Sequence, residues 1–376
     1  MRVLHLTTHI NTGGITTYIS NAVPALKQIG VETLVLSGGG SCKDDFASRG
    51  AKTFELNIKT KNELNPKLFF ALSPLEKIVR ENAIDVIHAH SRVTQVLAGI
   101  LSKRTGIPVV TTCHGYFKRR LGRRIFPAWG DLTIAISQGV AEHLYRDFKL
   151  PEDKVLTVNN AVDIDELDHA YVSHDPEETK KSYGFQAADC VVGVVARLVA
   201  DKGHEYLFRA VPLLVQEFPG IKLLIVGDGR ERKKLERFSI ELGIKDRVFF
   251  TGNVQDISKP LAAIDIFTLP ATWREGFGLS VIEAMTCRKP VVVSNIWALN
   301  SLVNHRVTGI LVEPKQSQLL ADAIKFLIKN PAEAKKITSA ARKKVEENFT
   351  ISRMAQELKT IYERAVRLHP EYRQSS

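Results

Sequence analysis

Short runs of apolar and β-branched residues alternate with amphipathic stretches along most of the chain. The first six strand-like runs lie at 3–7, 33–36, 85–89, 108–112, 133–136 and 155–158. Amphipathic stretches with helical spacing lie between them, at 15–29, 68–82 and 138–148. Nearly continuous apolar strands separated by helices are typical of a parallel sheet that is covered by helices on both faces.

The alternation stops at 163–189, where the sequence turns polar, and we interpret this segment as a linker. Six more strand-like runs follow, at 190–196, 221–226, 247–251, 265–269, 290–294 and 308–312. A chain of 376 residues also exceeds what one hydrophobic core usually organises. We therefore predict an α/β protein with two Rossmann-like, doubly wound parallel-sheet domains, at 1–165 and 166–350, facing a central cleft. The segment 331–368 is expected to be helical throughout.

The composition is that of an ordinary globular protein, with 44% hydrophobic and 25% charged residues. The four cysteines are far apart in the chain, which argues against a disulfide framework or a structural zinc site and fits a reducing cytosol. No apolar run reaches the ~18–20 residues of a membrane span, and the first residues do not read as a signal peptide. We expect a cytoplasmic protein, either soluble or peripheral on the inner face of the cytoplasmic membrane.

The formal net charge of +11 indicates an anionic partner. The densest basic run lies at 118–124 among aromatic residues and contains Lys118, Arg119, Arg120, Arg123 and Arg124. A solvated loop is one interpretation of this run. The interleaved aromatic residues support a second, contact with an anionic membrane surface or an anionic acceptor. Nucleic acid is not expected as a partner, because no recognition motif accompanies the charge.

Candidate ligand contacts follow the predicted strands, where ligands of open parallel sheets bind. Gly13 and Gly14 come after the first strand and start a helix, so the backbone there can approach an anion closely. A tight turn without a ligand is the alternative. The dinucleotide fingerprint G-x-G-x-x-G is absent here and again at 227–232, which removes the main support for a dehydrogenase.

A pair of cations follows the first strand of the second domain. Arg197 offers a planar fork that suits phosphate oxygens, and Lys202 offers a point charge next to Gly203. Such a pair alone reads as surface charge. Together with the acidic, glycine-rich turn at 275–278, it predicts a clamp for a diphosphate.

The segment 273–285, W-R-E-G-F-G-L-S-V-I-E-A-M, carries two glutamates around the start of a predicted helix. Ser280 and Glu283 have the spacing of a capping box, in which each side chain satisfies a backbone amide of the first turn. A ligand site is the competing interpretation, with Glu275 outside the helix and the amides of 277–279 at its positive end.

Histidines end two strands of the first domain. His114 ends the run at 109–114, where imidazole can hydrogen-bond a sugar hydroxyl or polarise a reacting group. His88 and His90 are expected to lie on opposite faces of a strand, and a metal site there lacks a third ligand.

No metal or cofactor is inferred from the remaining motifs. Asp163 and Asp165 form a D-x-D, but they lie in the predicted linker and are interpreted as structural. The motifs of serine hydrolases, zincins and P-loop NTPases are missing from the sequence.

Taken together, these residues resemble the donor site of the GT-B glycosyltransferases of family 4. The resemblance rests on Arg197, Lys202 and the E-x7-E pair Glu275 and Glu283, with Gly13-Gly14, His114-Gly115 and Asn160 also matching. It covers essentially the whole chain. Two departures, Ala161 and Ala196 where the family usually has glycine, touch no charged donor contact.

The resemblance implies a retaining, metal-independent transferase that moves a sugar from a nucleotide diphospho-sugar to an acceptor. Its acceptor would be a lipid-linked, lipopolysaccharide or glycan acceptor of envelope or exopolysaccharide assembly, and UDP-sugars are favoured over GDP-sugars as donors. The implied catalytic residues are Glu275, His114, Arg197 and Lys202. The implied substrate-binding residues are Gly13, Gly14, Asn160, Val254, Gly276, Phe277, Gly278, Leu279 and Glu283. Glu275 would face the donor sugar and Glu283 the ribose.

The resemblance also implies a domain plan in which 1–165 faces the acceptor and 166–350 binds the nucleotide-sugar. The helix at 351–376 would cross back to the first domain, and the linker would act as a hinge. Retention by same-face attack is preferred over a covalent glycosyl-enzyme, because no carboxylate in the first domain is a good nucleophile candidate. A same-fold epimerase, a soluble small-molecule glycosyltransferase and a basic nucleic-acid-binding protein are the alternatives.

Overall fold

The structure is a computed structural model that describes residues 1–60, 62–63, 65–119, 121–273 and 275–370, with only the backbone of Leu121 and Arg124. The chain divides into two compact units. The first consists of Met1–Ala161 with Ile351–Ser376, and the second of Val162–Thr350.

The first unit is built on a parallel sheet of seven strands. They are β1 (Arg2–Leu6), β2 (Glu32–Ser37), β3 (Lys52–Glu55), β4 (Val86–Ala89), β5 (Val109–Cys113), β6 (Leu132–Ala135) and β7 (Val155–Thr157). The sheet order is β3-β2-β1-β4-β5-β6-β7. The helices between them are α1 (Gly14–Gln28), α2 (Lys43–Ser48), α3 (Lys67–Glu81), α4 (Arg92–Thr105), α5 (Leu121–Ile125) and α6 (Gln138–Phe148).

The second unit repeats this plan with six parallel strands. They are β8 (Cys190–Val195), β9 (Ile221–Val226), β10 (Val248–Gly252), β11 (Ile266–Leu269), β12 (Val291–Ser294) and β13 (Ile310–Val312), in the order β10-β9-β8-β11-β12-β13. Its helices are α7 (Ile164–Val172), α8 (Pro176–Ser182), α9 (His204–Val215), α10 (Arg232–Glu241), α11 (Ser258–Ala263), α12 (Leu279–Thr286), α13 (Trp297–Leu302), α14 (Ser317–Lys329) and α15 (Pro331–Asn348).

Both sheets are doubly wound, which confirms the predicted fold class. The strand order reverses between β1 and β4 in the first unit and between β8 and β11 in the second. Central strands are buried along their whole length, as in β4 and β11, because helices cover both faces. The reversal opens a crevice at the carboxyl ends of the strands beside it, where ligands of such sheets bind.

One strand was missed by the hydrophobic pattern. β3 has the sequence Lys-Thr-Phe-Glu and is exposed or half-buried along its length. It forms the edge of the first sheet beside β2. An edge strand lacks a neighbour on one side, so it does not need the continuous apolar run that marked the other strands.

The interpretation of 163–189 as a linker is wrong. The segment contains α7 and α8, and both helices pack against α11 of the second unit. Asp163 accepts from the backbone amide of Glu166 (3.1 Å), and Asp175 accepts from that of Glu178 (2.8 Å). The segment reads as polar because these short helices bury few side chains, Leu167 on α7 and the polar Thr179 and Lys180 on α8. The D-x-D at 163–165 thus supplies a helix cap.

The predicted continuous helix at 331–368 is also interrupted. α15 ends at Asn348, and a final helix, α16, spans Ile351–Arg367. Between them Phe349 is buried against the ring of Phe277 (5.8 Å between centroids), and its carbonyl accepts from the amide of Val162 (2.9 Å). This bond uses a carbonyl that would otherwise serve the helix, so the chain turns here and α16 joins the first unit.

Arg342 on α15 joins three elements of the second unit. Its guanidinium forms two bonds of 2.7 Å to the Asp168 carboxylate on α7 and donates to the carbonyl of Thr286 at the end of α12 (2.8 Å). It also bonds Glu346 on its own helix (2.6 Å). The arginine side chain is 10% exposed, so these charge-assisted bonds are largely shielded from solvent.

We expect Arg342→Ala to lower the free energy of unfolding of the second unit by about 2–4 kcal/mol, because it leaves Asp168 without its shielded partner. Urea unfolding followed by circular dichroism measures this. Lys336→Ala on the same helix is the matched control, since Lys336 forms an exposed ion pair with Glu333 (3.4 Å). That control should cost less than about 0.5 kcal/mol. Equal losses for the two variants would contradict the structural role of Arg342.

Candidate functional site

Backbone hydrogen bonds tie together the loops that follow β8, β9 and β11. The amide of Leu198 donates to the carbonyl of Asp228 (3.0 Å), and the amide of Glu231 donates back to the carbonyl of Leu198 (3.0 Å). The amide of Thr272 donates to the carbonyl of Asp201 (2.9 Å). The loop after β8 is therefore fixed to both neighbours at the carboxyl edge where the strand order reverses.

Gly203 allows the loops after β8 and β11 to approach each other. It has a φ of +69°, and a Cβ built on it would lie 1.9 Å from the carbonyl oxygen of Pro270. No side chain fits in that space, and L-residues rarely adopt that conformation. The preceding residue, Lys202, is thereby held against the loop that contains Glu275.

The side chains of Lys202 and Glu275 form an ion pair between Nζ and Oε2. They are 19% and 11% exposed. The other carboxylate oxygen of Glu275 accepts from the amides of Gly276 (2.9 Å) and Phe277 (3.4 Å). Both oxygens are thus used, and the carboxylate is fixed just ahead of α12.

Arg197 lies two residues beyond the end of β8, at the same carboxyl edge of the sheet. Its side chain is exposed and has no hydrogen-bond or ion-pair partner among the residues that the structure describes. The guanidinium stands on the same loop as Lys202, and its planar set of donors suits phosphate oxygens.

The predicted capping box at Ser280 and Glu283 is wrong. α12 begins at Leu279 with Gly278 as N-cap, so Ser280 already lies inside the helix, and none of the side chains that the structure describes caps this end. Gly278 has a φ of +99°, and an added Cβ would lie 2.7 Å from a methyl group of Leu299. Packing on α13 therefore selects glycine as the N-cap, and glycine itself offers no side chain to the positive end of the α12 dipole.

Glu283 lies one turn into α12 and is partly exposed. Its carboxyl group has no hydrogen-bond or ion-pair partner among the described residues. Burial raises the pKa of Glu283 to about 7, because the surrounding protein disfavours the charged form. The group can therefore change its charge near neutral pH.

The remaining residues predicted in the donor half lie in the second unit as well. Gly276 is half-buried, while Phe277 is buried and its ring contacts Phe349. Val254 follows β10 and is half-buried. The sheet order places β10 at the edge, two strands from β8, so Val254 lies farther along the same carboxyl edge than Arg197.

In the first unit, Gly13 and Gly14 stand exposed at the start of α1. Gly13 is the N-cap, and no side chain in the described ranges caps this helix. A Cβ on either residue would meet nothing within 4 Å, so packing does not explain the glycines. Asn160, at the end of this unit, is buried, and its side-chain oxygen has no partner among the described residues.

Four histidines cluster in the first unit: His5 lies in β1 and His88 in β4, while His90 and His114 directly follow β4 and β5. His114 Nε2 lies 3.0 Å from His90 Nδ1, and His90 Nε2 lies 2.9 Å from His5 Nδ1. His88 bonds the hydroxyls of Thr112 (2.6 Å) and Tyr362 on α16 (2.8 Å). Neither His5 nor Tyr362 was predicted from the sequence to belong to this cluster. For His5 a signal was available, because it is a histidine inside the apolar run of β1.

The expectation that His88 and His90 lie on opposite faces is wrong. Residues two apart on a strand share a face, and these two ring centroids lie 4.1 Å apart. His5 also supplies the third residue that a metal site was thought to lack, because ring nitrogens of His5, His88 and His90 lie within 4.8 Å of one another. Both nitrogens of His88 already have hydroxyl partners, so a metal would have to displace one of them.

The basic stretch at 118–124 is divided between buried and exposed side chains. Arg123, predicted to contact a membrane or acceptor, is only 6% exposed, and that prediction is wrong. Its guanidinium lies over the rings of Phe117 (4.1 Å) and Trp129 (4.5 Å) and bonds Gln95 (3.3 Å). The interleaved aromatic residues thus enclose an arginine, and burial lowers its pKa to about 10.

Other members of this stretch remain on the surface. Lys118 and Arg119 are exposed, and Arg119 pairs with Asp147 (2.6 Å). Arg120 and the side chain of Arg124 lie outside the described residues. Within the part of the chain that the structure covers, no helix is both long enough and apolar enough to cross a membrane.

The fold consists of two doubly wound domains. The second domain carries cations and a helix start that suit a sugar nucleotide, a combination expected of a sugar-nucleotide-dependent transferase. Comparison with known families and structures supports this. Residues 12–166 match the family described as Glycosyltransferase Family 4, and residues 175–344 match Glycosyl transferases group 1. Together these matches cover more than half of the chain, which belongs to this family of glycosyltransferases.

Individual relatives and solved structures agree with this family assignment. The chain is 26% identical to an uncharacterized glycosyltransferase of Methanocaldococcus jannaschii over 95% of both chains. It is 25% identical to the UDP-Gal:alpha-D-GlcNAc-diphosphoundecaprenol alpha-1,3-galactosyltransferase of Escherichia coli over 85% of both. A glycosyltransferase of Rickettsia africae shares the fold with a TM-score of 0.84 and 22% identity, covering 97% of this chain and 98% of that one. Anabaena HepE in complex with UDP-glucose has a TM-score of 0.81 and 24% identity, with 96% and 99% covered.

These comparisons establish the class of enzyme to which the protein belongs. The protein is a GT-B glycosyltransferase, an enzyme of the EC 2.4 class. Its homologues include the Escherichia coli enzyme, whose name specifies a lipid-linked acceptor.

We expect Gly203→Ala to separate the loops after β8 and β11, because its Cβ would meet the Pro270 carbonyl. Gly243→Ala is the matched control: Gly243 has nearly the same φ, +66°, but nothing lies within 4 Å of its Cβ position. Both variants carry a backbone cost of about 1 kcal/mol or more, and only Gly203→Ala adds the clash. Differential scanning calorimetry should show a larger loss of stability for Gly203→Ala. Indistinguishable variants would contradict the close approach.

Proposed function

We propose that the protein is a retaining glycosyltransferase that needs no metal ion and transfers a sugar from a nucleotide diphospho-sugar to a hydroxyl acceptor. The observation that carries the proposal is the arrangement in the second unit. Lys202 is held against Glu275 just ahead of α12, and Arg197, on the same loop as Lys202, has no partner among the described residues. These groups fit a ligand that combines a diphosphate with a sugar.

The cations have the chemistry to stabilise the leaving group. As the bond between the anomeric carbon and the phosphate oxygen breaks, its electron pair stays on the diphosphate and negative charge grows there. Arg197 and Lys202 supply fixed positive charge, and the first-turn amides of α12 add the positive end of the helix dipole. In this proposal they perform the task that a divalent cation performs elsewhere.

Glu275 is proposed to orient the donor sugar. Its carboxylate is held by Lys202 and by the amides of Gly276 and Phe277, so it can accept from a sugar hydroxyl without reorganising. Glu283, one turn along α12 and without a partner among the described residues, is proposed to accept from the ribose hydroxyls. His114 of the first unit is proposed to bond a sugar hydroxyl.

Retention is proposed to follow from same-face attack. The acceptor hydroxyl oxygen forms the new bond to the anomeric carbon on the face that the diphosphate leaves, and its proton passes to the departing phosphate oxygen. The alternative is a covalent glycosyl-enzyme, which needs a carboxylate beneath the anomeric carbon. The anomeric configuration of the product, read by proton NMR, tests retention, and an inverted product would overturn it.

The donor is proposed to be a UDP-sugar and the acceptor a lipid-linked, lipopolysaccharide or glycan hydroxyl. The named activity of the Escherichia coli relative and the ligands of Anabaena HepE support uracil as the base. The exposed cations Lys118 and Arg119 are proposed to contact an anionic acceptor or membrane surface. A panel of UDP-, GDP- and ADP-sugars, screened for thermal stabilisation and slow hydrolysis, tests the donor; preference for GDP- or ADP-sugars would contradict it.

Arg197→Ala, Lys202→Ala and Glu275→Gln should each lower turnover of the preferred donor by about 100-fold or more, because each removes charge stabilisation or sugar orientation at the reacting centre. Steady-state rates measure this, with circular dichroism to show that the fold is intact. Lys336→Ala, an exposed cation on α15, should leave turnover unchanged. Near-normal turnover in all three site variants would remove the proposed mechanism.

The affinity for the donor should rise as the pH increases through about 7. Glu283 has a raised pKa, so below that value it is protonated and accepts poorly from ribose hydroxyls, while above it the carboxylate accepts fully. Calorimetric titration with a UDP-sugar, whose diphosphate keeps a constant charge in this range, measures the effect. Glu283→Gln should bind more weakly at high pH and show a flat profile. A pH-dependent profile that persists in Glu283→Gln would assign the titration to another group.

A further inference from the structure

The hydrogen bonds among the histidines of the first unit form a chain with a buried end and an accessible end. His5 bonds His90, and His90 bonds His114, through the nitrogen pairs given above. His5 and His90 are at most 1% exposed, whereas His114 keeps partial exposure. The accessible end lies immediately after β5, and Nδ1 of His114 has no partner among the described residues.

All three imidazoles are neutral at physiological pH. Burial lowers the pKa of His5 and of His114 to about 3 and lowers that of His90 well below its usual range. His88 and Tyr18 contact these three rings, and Tyr362 bonds His88. The neighbouring histidines further disfavour a charge on His90. Each ring therefore carries a single N–H, which it donates from one nitrogen while the other accepts.

Two neutral arrangements satisfy both bonds, and they run in opposite directions. In one, His5 Nδ1–H donates to His90, and His90 Nδ1–H donates to His114 Nε2. In the other, every donor is reversed, and His5 must carry its proton on Nε2. That nitrogen is buried and has no hydrogen-bond partner within the described part of the chain. The first arrangement leaves an unpaired lone pair at that nitrogen, and the second leaves an N–H without an acceptor, which is the rarer of the two in folded proteins.

The choice at the buried end determines the tautomer at the accessible end. His114 accepts at Nε2, so its own proton sits on Nδ1, the nitrogen left for a ligand. The edge of the Tyr18 ring packs against His114, with centroids 5.0 Å apart, and limits rotation of the imidazole. The chain thus fixes both the orientation and the proton position of His114.

We infer that His5 and His90 are positioning residues that hold His114 as the Nδ1–H tautomer, so that it offers a hydrogen-bond donor to a ligand oxygen. At that nitrogen the neutral ring cannot remove a proton, so His114 binds an oxygen acceptor, such as a sugar hydroxyl oxygen, and does not act as a general base. That a sugar is the ligand rests on the proposed function; the tautomer does not.

The direct test is NMR of the ring nitrogens in the ligand-free protein labelled with 15N-histidine, with His114→Gln used to assign the His114 signals. The expected spectrum shows His114 protonated on Nδ1 and unprotonated on Nε2. Protonation on Nε2, or a doubly protonated ring at neutral pH, overturns the inference. This measurement needs no substrate, so it stands apart from the proposed function.

Two substitutions of His90 test the positioning role. In His90→Gln, the amide N–H can donate to His114 Nε2 while the amide oxygen accepts from His5, so the tautomer should persist. His90→Phe removes both roles, and His114 should then populate both tautomers. If His114 contacts the donor sugar, kcat/KM should fall about 10- to 100-fold in His90→Phe, the loss of a well-placed hydrogen bond.

The outcomes separate the two claims. Recovery of most of the activity and of the tautomer in His90→Gln supports positioning. A retained tautomer with unaltered glycosyl transfer in His90→Phe overturns the positioning role of His90. If His90→Phe does not fold, the His90→Gln and wild-type spectra still decide the tautomer. An Nδ1–H tautomer in a protein that transfers no sugar would count against the proposed function alone.

Discussion

The contact between Lys202 and Glu275 depends on the absence of a side chain at Gly203. Because no Cβ intervenes, the loop after β8 can lie against the Pro270 carbonyl, and an ammonium group meets a carboxylate across the point where the strand order reverses. The same carboxylate accepts from the amides before α12. One close backbone approach therefore places the side chains that the proposed chemistry needs at one edge of the second sheet.

The first unit fixes its polar groups by a different means. Burial keeps four histidines neutral, and neutral rings must pair donor to acceptor, so the position of each proton depends on its neighbours. α16 takes part in this arrangement, because Tyr362 bonds His88 within the cluster, and Lys359 donates to the carbonyl of Ile29 (2.9 Å). The final helix is thus part of the polar interior of the first unit.

The sequence-based predictions that proved wrong share a physical origin. A spacing such as Ser280-x-x-Glu283 fits a capping box, but the packing of Gly278 against Leu299 shifts the helix start. From the sequence, Arg123 is predicted to be a surface charge among aromatic residues. In the fold its guanidinium lies against the rings of Phe117, Trp129 and Phe148. The polar segment at 163–189 reads as a linker because a short, one-sided helix lacks a wide apolar stripe. In each case the local pattern was compatible with two structures, and packing between distant segments selected one.

The sequence by itself determined the alternation of strands and helices, the doubly wound class and the positions of the charged motifs just after strands. These are local properties, because continuous apolar runs and turn glycines act within a few residues. Only the tertiary structure decided which charges meet, which are buried and which proton positions are possible. Those depend on atoms far apart in the chain, such as Lys202 and Glu275 or His5 and His114, and no short-range pattern records their distances.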